Sequence, residues 1–385
     1  MSRASPESVL SALTLLARQT GESAVTRETG LDETESARAA LAALAKSGLL
    51  GWTVPARDGG AKNDLADKEE VSVRALCAVR DELAWHSGML DVVFVLQGLG
   101  SYPIALGGSA ELRGKVLPRV ARGQAVAAFA LTEPDAGSSL GDIATAATKA
   151  KRGWRLSGKK TFISNAGVAS FYTVLARTSG KAGESEGLSM FHVPATARGL
   201  EVARFEVMAP HPIGDVMFND AEVGPGDLLG EEGQGLEIAL ATLGRFRTSV
   251  AAAANGFSRR ALDESKERLK ARKQFGRPLS AFQALRFDLA EMDVRLRASQ
   301  LLVTEAAVAV DRGDRASAEV ARAKLFATET ASWICDRAVQ HFGGLGVKRG
   351  SVVERLFREA RALRIYEGTS EIQKLVLAKE VLGEP

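Results

Sequence analysis

"AVAAFALTEPDAGSS", residues 125–139, opens the stretch that decides the fold. Small and aromatic apolar residues run together here, stop at Thr132, and break on Pro134 and Gly137. A short apolar run closed by turn residues reads as a buried strand. The same texture continues in "GWRLSG" (153–158), "KTFISNAG" (160–167), "FYTVLART" (171–178), "GLSMFHVP" (187–194), "GLEVARFEV" (199–207) and "DVMFNDAEV" (215–223). Residues 126–230 are therefore expected to form an antiparallel β-domain of roughly six to eight strands. Ser157-Gly158 reads as a hairpin turn, and "TSGKAGESEGL" (178–188) as a mobile loop.

Helical signals flank this domain on both sides. "SPESVLSALTLLARQ" (5–19) and "DETESARAALAALAKSGLL" (32–50) pair polar starts with Ala/Leu-rich bodies. "LLGWTVPARDGG" (49–60) interrupts them, and the helical period returns in "DKEEVSVRALCAVRDELAW" (67–85) and "MLDVVFVLQGLG" (89–100). Within the latter, Val92, Val95, Leu96 and Leu99 share one helical face. Residues 1–125 read as an N-terminal helical domain and 231–385 as a C-terminal four-helix bundle. The bundle reading rests on Phe282, Leu285, Leu289, Met292, Leu296, Ser299 and Val303, spaced alternately three and four apart. Helices, then sheet, then helices is an α+β arrangement and not a parallel α/β one.

Composition narrows the function classes. Of 385 residues, 50 are Lys or Arg and 47 Asp or Glu, a formal charge of +3. Such a balance does not suggest nucleic acid as the main partner. The largest basic cluster, "RLKARKQFGR" (268–277), suits a phosphate-bearing small molecule better. Two cysteines, Cys77 and Cys335, sit in apolar helical stretches and read as buried free thiols of a reducing compartment. No signal peptide is expected, no apolar run approaches the roughly 18 residues of a membrane span, and a cytoplasmic protein follows.

Several chemistries fail on their motifs. "GWRLSGKK" (153–160) matches a phosphate loop until Lys160, where Ser or Thr is required. No G-x-G-x-x-G follows a strand, and His86, His192, His211 and His341 have no metal-ligand spacing. Three stretches remain. The turn at 129–139 is either an ordinary acidic turn or a set of N–H and hydroxyl donors for a ligand. "ARKQFGRP" (271–278) is either a solvated loop or a phosphate contact through Arg272. Glu367 stands before Gly368, ahead of a helix whose Ser370 and Gln373 fit a capping box. An acid there is favoured by the helix dipole alone, or it is a base.

Together these stretches carry a resemblance. "LTEPDAGSS" (131–139), "GKKTFISNAG" (158–167), "RKQFGRPLSAFQAL" (272–285), "QHFGGLGV" (340–347) and "RIYEGTSEIQKLVLAKEVL" (364–382) resemble, in this order, the flavoprotein acyl-CoA dehydrogenase family, from about residue 30 onward. The resemblance implies FAD as cofactor, an acyl thioester as substrate, a homotetramer, and an electron-transfer flavoprotein as acceptor. Phe129, Leu131, Thr132 and Ser138 would line the flavin, with Phe162, Ile163 and Ser164 as a second flavin-facing segment. Arg272, Gln274, Phe275, Phe282 and Gln283 would hold FAD of a neighbouring subunit, and Gln340, Gly343 and Gly344 would reach it across the interface. Gly368, Thr369 and Glu371 would flank the FAD. Ser138, Arg247, Tyr366 and Gly368 would touch substrate, and Glu367 would be the base that takes the proton next to the thioester carbonyl. No metal is implied.

Some positions depart from the family pattern. Phe162 stands where tryptophan is frequent, Ser139 where aspartate is frequent, and "EVMAPHPIGDVMF" (206–218) lacks the usual glycine–arginine–serine loop. Position 246, near an alternative base position, is Phe. Rival readings are the same chemistry on a carrier-protein-bound acyl group, an oxidase, a subunit of a heteromeric dehydrogenase, and a non-catalytic flavin protein that binds DNA. Nothing in the residues specifies the acyl chain.

Overall fold

A computed structural model describes residues 5–28 and 31–383. Its contacts divide the chain into two units, Glu22–Ser72 with Met89–Phe246, and Met1–Gly21 with Val73–Gly88 and Arg247–Pro385. The family-like order of helices, sheet and helices is present, and residues 73–88, from the N-terminal third, belong with the C-terminal helices.

The first unit holds the sheet. Its strands are β1 (Ala127–Ala130), β2 (Ala146–Lys149), β3 (Trp154–Ser164), β4 (Phe171–Arg177), β5 (Leu188–Pro194), β6 (Leu200–Arg204), β7 (Ile213–Val223) and β8 (Leu228–Leu229). They order as β6-β7-β3-β2-β4-β5-β8, with β1 beside β4. All seven residues of β4 are buried, as expected for a central strand covered on both faces. Most pairings are antiparallel, but β1 runs parallel to β4 and β2 meets β4 in parallel at Ala146 and Arg177. Parallel neighbours need a long connection, and the β2–β3 hairpin supplies it. Alternation alone does not reveal such a crossover.

Ser157-Gly158 is no hairpin turn. Both lie inside β3, where the register against β7 shifts between Leu156 and Gly158. Glycine fits because its φ is +148° and a Cβ would stand 2.6 Å from Thr145 Oγ1. The 178–188 loop is not loose either. The buried Arg177 guanidinium donates to the carbonyls of Ile143 (2.9 Å), Gly141 (2.7 Å), Glu184 (3.0 Å), Glu186 (2.9 Å) and Ser179 (3.3 Å). Long loops around a buried guanidinium satisfy their own carbonyls and become fixed.

The helices are α1 (Pro6–Glu28), α2 (Glu33–Ser47), α3 (Val73–His86), α4 (Gly88–Gly107), α5 (Ala110–Ala121), α6 (Gly235–Ala271), α7 (Gln283–Asp311), α8 (Ser317–Phe342), α9 (Val352–Leu363) and α10 (Ser370–Leu382). α4 is long and apolar enough to cross a membrane, contrary to the expectation that no such stretch exists, yet its most apolar part is 89% buried in the protein. Val95, Leu96 and Leu99 are buried there, with Phe94 fully so. Phe246 is fully buried, its ring against Gly98 and edge-on to Tyr102 at 5.6 Å.

In the helical unit, α3, α6, α7, α8 and α9 share one core. The run Ala251–Ala254 is buried entirely, and such small side chains let helices approach closely. Met292, Leu296, Ser299 and Val303 of the expected seam are buried, whereas Phe282 precedes α7 as its cap residue. Cys77 and Cys335 are both buried free thiols.

α3 borrows its cap from α7. The carboxylate of Asp311 accepts from Val73 N at 2.7 Å and Arg74 N at 3.2 Å, and pairs with Arg74 Nε at 3.0 Å. It satisfies orphan N–H groups that α3 cannot satisfy itself. Asp311→Ala should lower the urea midpoint with an unchanged slope, a loss of about 1–2 kcal/mol. An unchanged midpoint would show that the cap adds nothing.

Candidate active site

In the sheet unit the structure brings two predicted segments together. Thr161 N donates to Thr132 O at 2.9 Å, which ties the turn after β1 to β3. Lys160, which spoiled the phosphate-loop match, is fully buried. Its ammonium donates to Leu131 O at 2.8 Å and to Glu133 Oε1 at 2.7 Å. Glu133 also accepts from the N–H groups of Ala144 and Thr145 at 2.8 and 2.9 Å. Burial favours the neutral acid, but the Lys160 charge and these hydrogen bonds outweigh it and hold Glu133 below the usual carboxylate range. The acidic turn is thus an inward anchor. It leaves Ser138 exposed, with Phe129 and Thr132 half-buried and Leu131 buried.

On β3 the alternation breaks. Lys160 and Thr161 are both buried, Phe162 is 60% exposed, and Ile163 is buried. The register against β7 shifts between Lys160 and Ile163, and Phe162 and Asn165 take φ of +55° and +63°. A bulge re-aims side chains, and a non-glycine residue at positive φ costs about 1–3 kcal/mol. Asn165 secures the turn by donating to Ala127 O at 2.8 Å, and its own N–H donates to Pro212 O at 2.6 Å. Ser164 Oγ lies 2.6 Å from His211 Nε2. The departing loop at 206–218 therefore places an imidazole on a predicted flavin-facing hydroxyl, a contact without any motif in the sequence.

The predicted residues of the helical unit fall on three segments. Lys273–Gln274 and Arg277–Pro278 form a small hairpin of strands β9 and β10 between α6 and α7. At its tip Phe275 is 91% exposed with φ +51°, edge-on to Phe282 at 6.1 Å, while Arg277 lies over the Phe282 ring at 4.2 Å. Arg272, Gln274 and Gln283 are exposed beside it. Gln340 is exposed near the end of α8, and Gly343 and Gly344 follow with open space where a Cβ would sit.

The third segment contains Glu367. Glu367 and Gly368 both have positive φ, +54° and +91°. Three side chains hold their carbonyls. Arg247 Nε of α6 donates to Glu367 O at 2.7 Å; Lys324 Nζ of α8 and Gln373 Nε2 of α10 donate to Gly368 O at 2.6 and 3.0 Å. Tyr366 packs against the helical core. The expected capping box does not form. Thr369 is the cap of α10, accepting from Ile372 N at 3.3 Å, so Ser370 is the first helical residue. Ser370 Oγ donates to Glu329 Oε1 at 2.6 Å instead, beside Arg364 at 2.8 Å, and Gln373 is spent on Gly368. Glu371 is exposed in the first turn. Lys324 escaped the sequence reading because it lies within an ordinary helical pattern, and Gln373 reads as a capping-box residue when its amide in fact holds Gly368 O.

The chain matches family models for the N-terminal (residues 13–124), middle (128–221) and C-terminal (233–382) domains of acyl-CoA dehydrogenase. It is 36% identical over 340 residues to the cyclohexane-1-carbonyl-CoA dehydrogenase of Geobacter metallireducens, covering 88% of this chain and 87% of that protein. It is 34% identical to the caffeyl-CoA reductase–Etf complex subunit CarC of Acetobacterium woodii, covering 95% and 96%. The butyryl-CoA dehydrogenase structure from Megasphaera elsdenii superposes with a TM-score of 0.90 at 30% identity, covering 99% and 100%. This chain belongs to the acyl-CoA dehydrogenase family, and with it to the FAD-dependent oxidoreductases. The residues present fit that cofactor. Phe162 and Phe275 are aromatic side chains turned outward at strained backbone positions, and Gly343–Gly344 leave room for close approach.

Burial pulls His211 down to about 4 from an ordinary value near 6.5. Between those values the unfolded chain takes up a proton that the folded chain refuses, so stability is lost as pH falls from 6.5 towards 4. His211→Gln should flatten the fall in melting temperature across that window relative to wild type. Superimposable melting curves would contradict the burial of a neutral imidazole.

Proposed function

We propose that this protein catalyses the FAD-dependent α,β-dehydrogenation of an acyl-CoA thioester, with Glu367 as the base. The observation that carries this reading is the paired positive φ at Glu367 and Gly368, held by Arg247, Lys324 and Gln373. Strain of that kind persists where surrounding contacts over-determine it, and it clusters at reacting groups. The carboxylate of Glu367 takes the proton on the carbon beside the thioester carbonyl. That proton is weakly acidic, so charge building on the carbonyl oxygen must be met by donors. The backbone N–H of Glu367 is one such donor, and glycine at 368 lets the thioester come close to the backbone. Arg247, Tyr366, Gly368 and Ser138 are the proposed substrate contacts.

A bound FAD would supply the hydride-accepting chemistry that the β-carbon requires. Phe129, Leu131, Thr132, Ser138, Phe162, Ile163 and Ser164 are the proposed flavin-facing residues of the sheet unit. In the helical unit Arg272, Gln274, Phe275, Phe282, Gln283, Gln340, Gly343 and Gly344 would hold FAD of a neighbouring copy, with Gly368, Thr369 and Glu371 flanking the cofactor. A homo-oligomer, a tetramer in our reading, is supported by α7, where Phe287, Val294 and Leu301 are seven residues apart and 63%, 64% and 57% exposed. Such a stripe calls for a partner. An electron-transfer flavoprotein is the proposed acceptor, in keeping with the name of the Acetobacterium relative. The two buried free thiols support a reducing, cytoplasmic setting.

Purified yellow Glu367→Gln protein, mixed anaerobically with acyl-CoA thioesters of graded length, should keep its FAD and show no loss of flavin absorbance. Wild type should bleach with at least one of them. Bleaching by the variant at the wild-type rate would remove Glu367 from the reaction.

A further inference from the structure

We infer that Lys324 is a positioning residue for this reaction, one that locks the Glu367–Gly368 backbone and holds its cation at the peptide that follows the proposed base. The inference rests on Glu367 being the base. Lys324 lies on α8 among buried alanines, Ala323, Ala327 and Ala331, and is itself fully buried. Taking an ammonium out of water costs several kcal/mol unless it is compensated, and apolar side chains of similar volume usually serve a core better. Here the ammonium makes no ion pair among the described residues. Its hydrogen bond goes to a neutral acceptor, Gly368 O, at 2.6 Å.

That acceptor is the carbonyl that follows the proposed base. Gly368 O also receives Gln373 Nε2, so two donors from α8 and α10 fix one peptide of a turn in which both residues have positive φ. The charged groups that bear on Lys324 are, in order of influence, Glu367, Arg247, Glu329 and Glu371. Burial draws the lysine down to about 8, and the Glu367 carboxylate opposes that pull more than any other group. The attraction is mutual: a cation that is steadied by a carboxylate favours the ionised form of that carboxylate. Lys324 thus bears on both requirements of a base, its placement and its charge state. Gln373 bears on placement alone, and the difference makes the two roles separable.

The test uses FAD-loaded Lys324→Met, Gln373→Leu and Glu367→Gln, with an acyl-CoA that bleaches the wild-type flavin. Lys324→Met should retain FAD and lower kcat at neutral pH by roughly 10- to 100-fold. It should also move the acid limb of kcat/KM upward by about one pH unit, because the carboxylate loses a neighbouring cation. Gln373→Leu should lower kcat and leave the acid limb in place. An unmoved acid limb in Lys324→Met would overturn the inference. If Lys324→Met fails to fold, Lys324→Gln, which keeps a donor and drops the charge, should show the same upward shift. Failure of Lys324→Gln to fold, or an unmoved limb, would make Lys324 a purely structural residue. Continued bleaching by Glu367→Gln would instead sink the base assignment on which the inference stands.

Discussion

The turn at Glu367–Gly368 stands in a left-handed conformation that costs a non-glycine residue about 1–3 kcal/mol. Arg247, Lys324 and Gln373 offset that cost by donating to its two carbonyls, and they come from α6, α8 and α10. The long helices of this unit thus do more than pack. Their Ala-rich core brings three polar side chains to one short turn, and a hydrogen bond to a carbonyl from a charged group is worth more than a neutral one. The proposed chemistry depends on this local constraint, because a base displaced by an ångström loses much of its effect.

The sheet unit solves a parallel problem by different means. Phe162 is turned outward by a bulge, and the segment before it is pinned from within by Lys160 and Glu133. A buried ion pair gives little net stability, but removal of either partner leaves an uncompensated charge, so the pair specifies one arrangement of the turn. Arg177 does the same for the 178–188 loop through backbone carbonyls alone. In each case a buried cation, and not an apolar cluster, fixes an irregular stretch of backbone.

Much of this was legible in the sequence because it follows from local pattern. The helix–sheet–helix order, the strands of the middle segment and the burial of Met292, Leu296 and Val303 all come from periodicity. What was hidden depends on tertiary partners. The parallel pairing of β1 with β4 needs knowledge of which strands meet across the β2–β3 hairpin. Ser157-Gly158 imitates a turn because glycine serves bulges as well as turns. Ser370 and Gln373 match a capping box by spacing, yet Thr369 takes the cap, since Glu329 and Gly368 claim the other two side chains. Lys160 and Lys324 are buried lysines whose partners lie 27 and 44 residues away, beyond any local signal.

The proposed role of Glu367 is reached most directly through the substrate's own hydrogen. The holoenzyme, held anaerobically in deuterated water with an acyl-CoA and no electron acceptor, should incorporate deuterium at the α-carbon, and Glu367→Gln should not. Equal incorporation by the two proteins, at rates above that of free thioester in buffer, would contradict the account.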